Sequence, residues 1–390
     1  MAMISSPMAI LMTLTGISAG FFVLAHKTKW RFFQYVPPLI FIYAVPLGLS
    51  STGVLTSQSP LYDWMGQYML PFFLTLMLLK VDVASVVKVM GRGILVMLCG
   101  TAGVILGAPL AYWLVKGHLE PEAWKAFAVL AGSWIGGTGN MAAVSQGIDA
   151  SGTDMGLAVL GDNVVIVVWL PILLASKNLS HRFHKFTRVN TDRLHMLEQI
   201  ESADHGKSGS ATSTRDWLML FFLGFAVTWA SEYVSQFLRE YPPVLTHSTW
   251  KILLVSTFGL ALSMTPARKI AGSHEFAMAL VFLFVARMGA TADLSGLKAQ
   301  AGWFVAGALI WIFLHGVFCV FGAWLFRVDI HSTAIASAAN IGGAASAPIV
   351  AAHHNPKLVP VSILMALMGY AIGNYGAFAA ASLCAWVARW

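Results

Sequence analysis

Apolar runs of about 20 residues recur from one end of this chain to the other, and no other feature constrains the fold as strongly. A helix of that length covers a ~30 Å hydrocarbon core, whereas open strand edges or loops in lipid would leave backbone N–H and C=O groups without partners. The runs lie at 7–25, 36–56, 62–80, 93–115, 122–147, 153–176, 216–238, 250–265, 274–291, 301–326, 331–353 and 358–387. They leave no room for a soluble domain. Of the 390 residues, 57% are hydrophobic and only 11% charged, against about 25% charged in a soluble domain. The expectation is an all-α polytopic membrane protein with 11–12 transmembrane helices, working in transport, conduction or intramembrane chemistry.

The net charge of +7 does not point to nucleic acid, because the lysines and arginines fall in short loops where they set topology. Cys99, Cys319 and Cys384 are scattered through apolar runs and make neither a disulfide framework nor a zinc site. Residues 1–7 lack a basic region and "KTKWR" follows the first run, so the start reads as an uncleaved anchor with its N-terminus outside.

The longest polar stretch, 178–215, opens on "HRFHKFTR" and closes on the flexible "GKSGSATST", dividing the chain into 1–177, a linker, and 216–390. The two flanking parts resemble each other. "LLKVDVASVVKVMGRG" pairs with "GATADLSGLKAQAG", "WIGGTGNMA" with "NIGGAASAP", and "LGDNVVIVV" with "IGNYGAFAA". Register is kept, since Asp82 to Asp162 spans 80 positions and Asp293 to Asn374 spans 81. An internal duplication follows, and transporters often carry such repeats inverted around a mid-membrane site. Inversion needs an odd number of crossings between equivalent points. Six runs separate Asp82 from Asp293, so one of them does not span, and the short 250–265 run is the candidate.

Within these repeats, Gly136, Gly137 and Gly139 accompany Thr138 and Asn140, and the matching stretch holds Asn340, Gly342, Gly343, Ser346 and Pro348. Glycines can simply let helices pack closely. Two sets at equivalent places read instead as paired helix breaks, whose free carbonyls suit a cation and whose half-helix N-termini suit an anion. Asp162 lies well inside its run with Asn163 beside it, and Asn374 holds the matching place in the second part. A membrane carboxylate next to an amide suits sodium or a proton. Arg287 is a candidate for an anionic solute or for neutralising Asp162, while His315 reads as a packing residue. Asp82 and Asp293 read as helix caps or loop charge, Asp149 and Asp154 as loop charge, and the His353–His354 pair as a loop.

"LAGSWIGGTGNMAAV", "ASAANIGGAASAPIVAA" and "MGYAIGNYGAF" resemble a YjcL-like family of bacterial and plastid membrane proteins of unknown function, over about 36–387. The layout is more distantly similar to the bile-acid sodium symporters and the sodium/proton antiporters. That resemblance implies inverted repeats forming a panel and a core, with 122–147 and 331–353 as two crossed discontinuous helices broken at Gly136–Asn140 and Gly342–Ser346. It also implies sodium at Thr138, Asn140, Asp162 and Asn163. The antiporters' acidic pair appears here in the order Asp-Asn, and the symporters' acidic residue on the second crossing helix is missing, with Asn340 the nearest polar group. A homodimer is implied by resemblance alone.

The resulting expectation is a secondary transporter in a bacterial plasma membrane, performing sodium- or proton-coupled symport of a small organic anion such as a carboxylate or carboxylated peptide. Cation/proton antiport is the alternative, and a non-transporting scaffold a further one. No cofactor beyond the coupling ion and no enzymatic activity are expected, since an aspartyl protease would need a second deep aspartate.

Overall fold

The computed structural model describes residues 2–28, 33, 38–82, 91–189 and 212–390. Lys29, Arg31, Lys88 and most of the predicted linker, 190–211, lie outside them. The described structure is helical apart from two isolated bridges, and seven helices are long and apolar enough to cross a membrane. The protein is an all-α integral membrane protein.

The first part runs α1 (Pro7–Thr28), α2 (Pro38–Ser51), α3 (Pro60–Trp64), a π-helical turn (Met65–Met69), α4 (Leu70–Leu78), α5 (Gly93–Val115), α6 (Trp124–Gly147) and α7 (Gly152–Ala175). The amphipathic α8 (Ser180–Thr187) follows. The second part runs α9 (Thr214–Ser235), α10 (His247–Ser263), α11 (Ser273–Ala290), α12 (Leu294–Phe326), α13 (Ile330–Ile341), α14 (Gly343–His354) and α15 (Val359–Ala388). Ser151 with Asp154, and Ser213 with Asp216, form capping boxes at the starts of α7 and α9, so Asp154 serves as a cap rather than a loop charge. Asp293 caps α12 by accepting from the Ser295 and Gly296 N–H groups, and Asp82 pairs with Arg268 at 2.8 Å.

Contacts along the helices fix their directions. Arg92 reaches the Phe326 carbonyl and Trp311 Nε1 donates to the Val104 carbonyl at 3.0 Å, so α5 and α12 are antiparallel. Phe73 meets Phe284 edge-on while Lys80 donates to the Ile270 carbonyl, which makes α4 and α11 antiparallel as well. Lys251 donates to the Gln67 carbonyl and Arg268 pairs with Asp82, so α10 and the turn after it run alongside α4 from one end to the other.

The runs expected to cross each other do not cross. Along a straight helix, residues 125 and 149 would lie about 36 Å apart; instead Lys125 Nζ is 3.2 Å from the Asp149 carbonyl oxygen. A Cβ on Gly132 would meet the Asn140 carbonyl oxygen at 2.9 Å, so the second half of α6 folds back along the first. The same holds for α13 and α14, whose far ends are joined by His331 Nδ1 and His354 Nδ1 at 3.0 Å. Each broken helix is a re-entrant hairpin. A break leaves the chain free to continue or reverse, and here both halves gain more by packing on α7, α12 and α15 than by spanning lipid. The 122–147 run therefore does not cross as a single helix, which takes it out of the six runs between Asp82 and Asp293.

With that hairpin removed from the count, the charges fall into place. Lys27, Lys80, Arg92, Lys177, Arg182, Lys185, Arg188, Arg215, Arg268 and Lys269 all sit at one end of the helix stack. The opposite end carries the mouth of the α6 hairpin with Glu120, Glu122 and Asp149, the cap Asp293, and the last turn of α15, which Lys116 holds through the Val387 carbonyl. The α13–α14 hairpin opens at the basic end, facing the α6 hairpin from the other side.

Candidate ion and solute site

Gly137 breaks α6 at φ 72, ψ −175, a region that only glycine occupies readily. The reversal brings Asn140 into a slot between two helices. A Cβ on Gly136 or on Gly373 of α15 would overlap Asn140 Nδ2, which donates to the Tyr370 carbonyl at 3.2 Å. The Asn140 side chain is fully buried, and its Oδ1 accepts no hydrogen bond. Thr138, at the tip, is half-buried. The tip rests against Met77 and Val281 at Gly139.

The second break lies at Gly342 and Gly343, the latter at φ 53 with open space beside it. Asn340 in the last turn of α13 is buried and donates to the Met97 carbonyl at 3.2 Å and to Thr101 Oγ1 at 3.3 Å, both on α5. Ser346, in the first turn of α14, packs under Gly342. Asn374 donates to Ser256 Oγ of α10 at 2.8 Å. Asn340 Oδ1 and Asn374 Oδ1, like Asn140 Oδ1, are buried acceptors without a donor. A buried oxygen left so costs about 1–3 kcal/mol.

Asp162 lies ten residues into α7, or about 15 Å along its axis. Ser133 Oγ donates to its Oδ2 at 3.1 Å and Trp134 Nε1 to its Oδ1 at 3.0 Å, both from the first half of the α6 hairpin. No basic side chain pairs with it among the described residues. Asn163 donates to the Val159 carbonyl of its own helix at 2.7 Å. Asp162 is thus held by Ser133 and Trp134, Asn163 by Val159 and Asn140 by Tyr370, and no hydrogen bond joins Thr138 to any of the three among the described residues.

Arg287 does not meet Asp162. It sits near the acidic end of α11, in a cavity of about 750 Å³ between α3–α4, α10, α11 and the mouth of the α6 hairpin. Its guanidinium lies 4.9 Å from the Phe284 ring and bonds Gln146 Oε1 at 3.5 Å. His315 is held from both sides, by the Gly100 carbonyl at 2.9 Å and by Ser337 Oγ at 3.0 Å, and is a packing residue. Sequence reasoning missed Ser133, Trp134, Gln146 and Tyr370. It also passed over Gly373, although Gly369 and Gly373 four apart put two small residues on one helix face.

These elements define a polytopic helical membrane protein with two glycine-broken hairpins. Residues 9–386 match the family described as "Protein of unknown function (DUF819)", and the chain belongs to that family. It is similar to "Uncharacterized membrane protein YjcL" of Bacillus subtilis (strain 168), with 26% identity over 367 residues covering 90% of each chain.

Proposed function

We propose that this protein is a secondary active transporter that couples sodium or a proton to the movement of a small organic anion by alternating access. The observation that carries the reading is the pair of hairpins entering from opposite ends and broken at equivalent glycines. Irregular backbone at membrane depth is tolerated where it is buried in protein or lines a passage. The two parts are read as inverted repeats, since the equivalent helices α5 and α12 run antiparallel, as do α4 and α11. In this reading α5–α7 and α12–α15 form the moving core, and α1–α4 with α9–α11 the panel.

The buried neutral oxygens of Asn140 and Asn340, each close to a helix break, and the carbonyls freed at the end of the first α6 half-helix are donors of the kind a hard cation takes. Occupancy there would bias which states of the core can move. Asp162 supports the second reading, cation/proton antiport, because a mid-depth carboxylate held only by neutral donors can trade a proton for a cation. In this reading the protein resides in a bacterial plasma membrane with its basic end in the cytoplasm and works without a cofactor or an enzymatic step.

Reconstituted into liposomes, the parent should show solute uptake that depends on a sodium or proton gradient, and Asp162→Asn should lose the gradient dependence. Unchanged coupled flux in that variant would remove Asp162 from the mechanism. Absence of flux for every solute tested would favour a scaffold.

A further inference from the structure

The cavity at the acidic end bears on what else a carboxylate-bearing solute must carry. Its walls come from both bodies: α3, α10 and α11 on the panel side, and the mouth of the α6 hairpin on the core side. One charged set is balanced within itself. Glu232 is ion-paired with Lys251 and lies 3.3 Å from His247 Nε2, and Lys251 also donates to the Gln67 carbonyl at 2.9 Å. Three charged lining groups remain outside that set: Arg287, Asp63 and Asp149.

Arg287 is always charged, and among the described residues the groups in direct contact with its guanidinium are the neutral Gln146, Met288 and the face of Phe284. Its Nε is buried and donates to nothing. Asp63 and Asp149 act on this guanidinium only across the cavity, with neither carboxylate in contact, and a ligand carboxylate is a group that can meet it directly. Asp63 and Asp149 line the same cavity, one from the panel and one from the hairpin mouth, and neither side chain is in a contact ion pair among the described residues. A dianion would be repelled by two carboxylates, and a simple cation by the arginine.

We infer that this cavity binds a zwitterion, an amino acid or short peptide whose carboxylate meets Arg287 and whose ammonium meets Asp63 and Asp149. The volume of about 750 Å³ lies within the range of small-molecule sites. Because Arg287 belongs to the panel and Asp149 and Gln146 to the hairpin, such a ligand would bridge the two bodies that alternating access moves. The inference rests on the transport reading only for that last step; the binding stands alone.

Binding is tested on the purified full-length protein in detergent by thermal shift, with dialanine, N-acetyl-dialanine, dialanine amide and succinate as probes. Dialanine in large excess should raise the apparent Tm by roughly 2–4 °C, and each analogue lacking one charged end by clearly less. Arg287→Gln should abolish the response. The double variant Asp63→Asn with Asp149→Asn, which alters two exposed positions, should keep a response but lose the preference for dialanine over N-acetyl-dialanine. Equal shifts from all four probes, a larger shift from succinate, or no shift from dialanine would overturn the proposal. Dialanine binding without flux in liposomes would instead retain this site and remove the transporter reading.

Discussion

Gly137 holds the backbone at φ 72, ψ −175, and a side chain there would cost about 1–3 kcal/mol before any contact is considered. Gly137→Ala should therefore lower the Tm measurably, whereas Gly302→Ala, with open space around its Cβ inside α12, should be neutral or slightly stabilising. Circular dichroism melts of the two variants in one detergent check the contrast. Asp293 offers a pH test. The Gly296 and Ser295 N–H groups hold its carboxyl below the usual range, so its capping contribution is present at neutral pH and is lost as acid protonates it. Asp293→Ala should melt below the parent at neutral pH and converge with it as the pH falls. At this scale the sequence was informative about residue type: three glycines with a threonine and an asparagine mark a break. It could not show that Asn140 fills a slot left by Gly373, because that glycine lies 233 positions along the chain.

The decisive element is α6. Its 24 residues are long enough to be read as a membrane span, although α6 is not among the seven described helices that are both long and apolar enough to cross. Cysteines replacing Lys125 and Asp149 should be bridged by a short bifunctional thiol reagent, on a background in which Cys99, Cys319 and Cys384 are replaced. A spanning helix would hold the two thiols about 36 Å apart and give no bridge. His331 and His354, substituted the same way, test the second hairpin. Glycine placement located both breaks; whether the chain continued or reversed depended on the surfaces of α7, α12 and α15 that receive the half-helices.

For the whole molecule, the hairpins decide topology. Single cysteines at Lys177 and Arg268 should react with a membrane-impermeant thiol reagent only from the cytoplasm, and single cysteines at Glu120 and Ser295 only from outside. Labelling of all four from one side would overturn the arrangement. The sequence by itself determined the helical class, the membrane as solvent and the positions of the apolar elements, because these follow from composition and spacing along the chain. The tertiary structure alone decided which elements span, which face gathers the positive charge, and that Asp162 and Arg287 lie in separate places. Those outcomes depend on contacts between residues far apart in sequence, and the pattern along a single helix does not encode the surface it will meet.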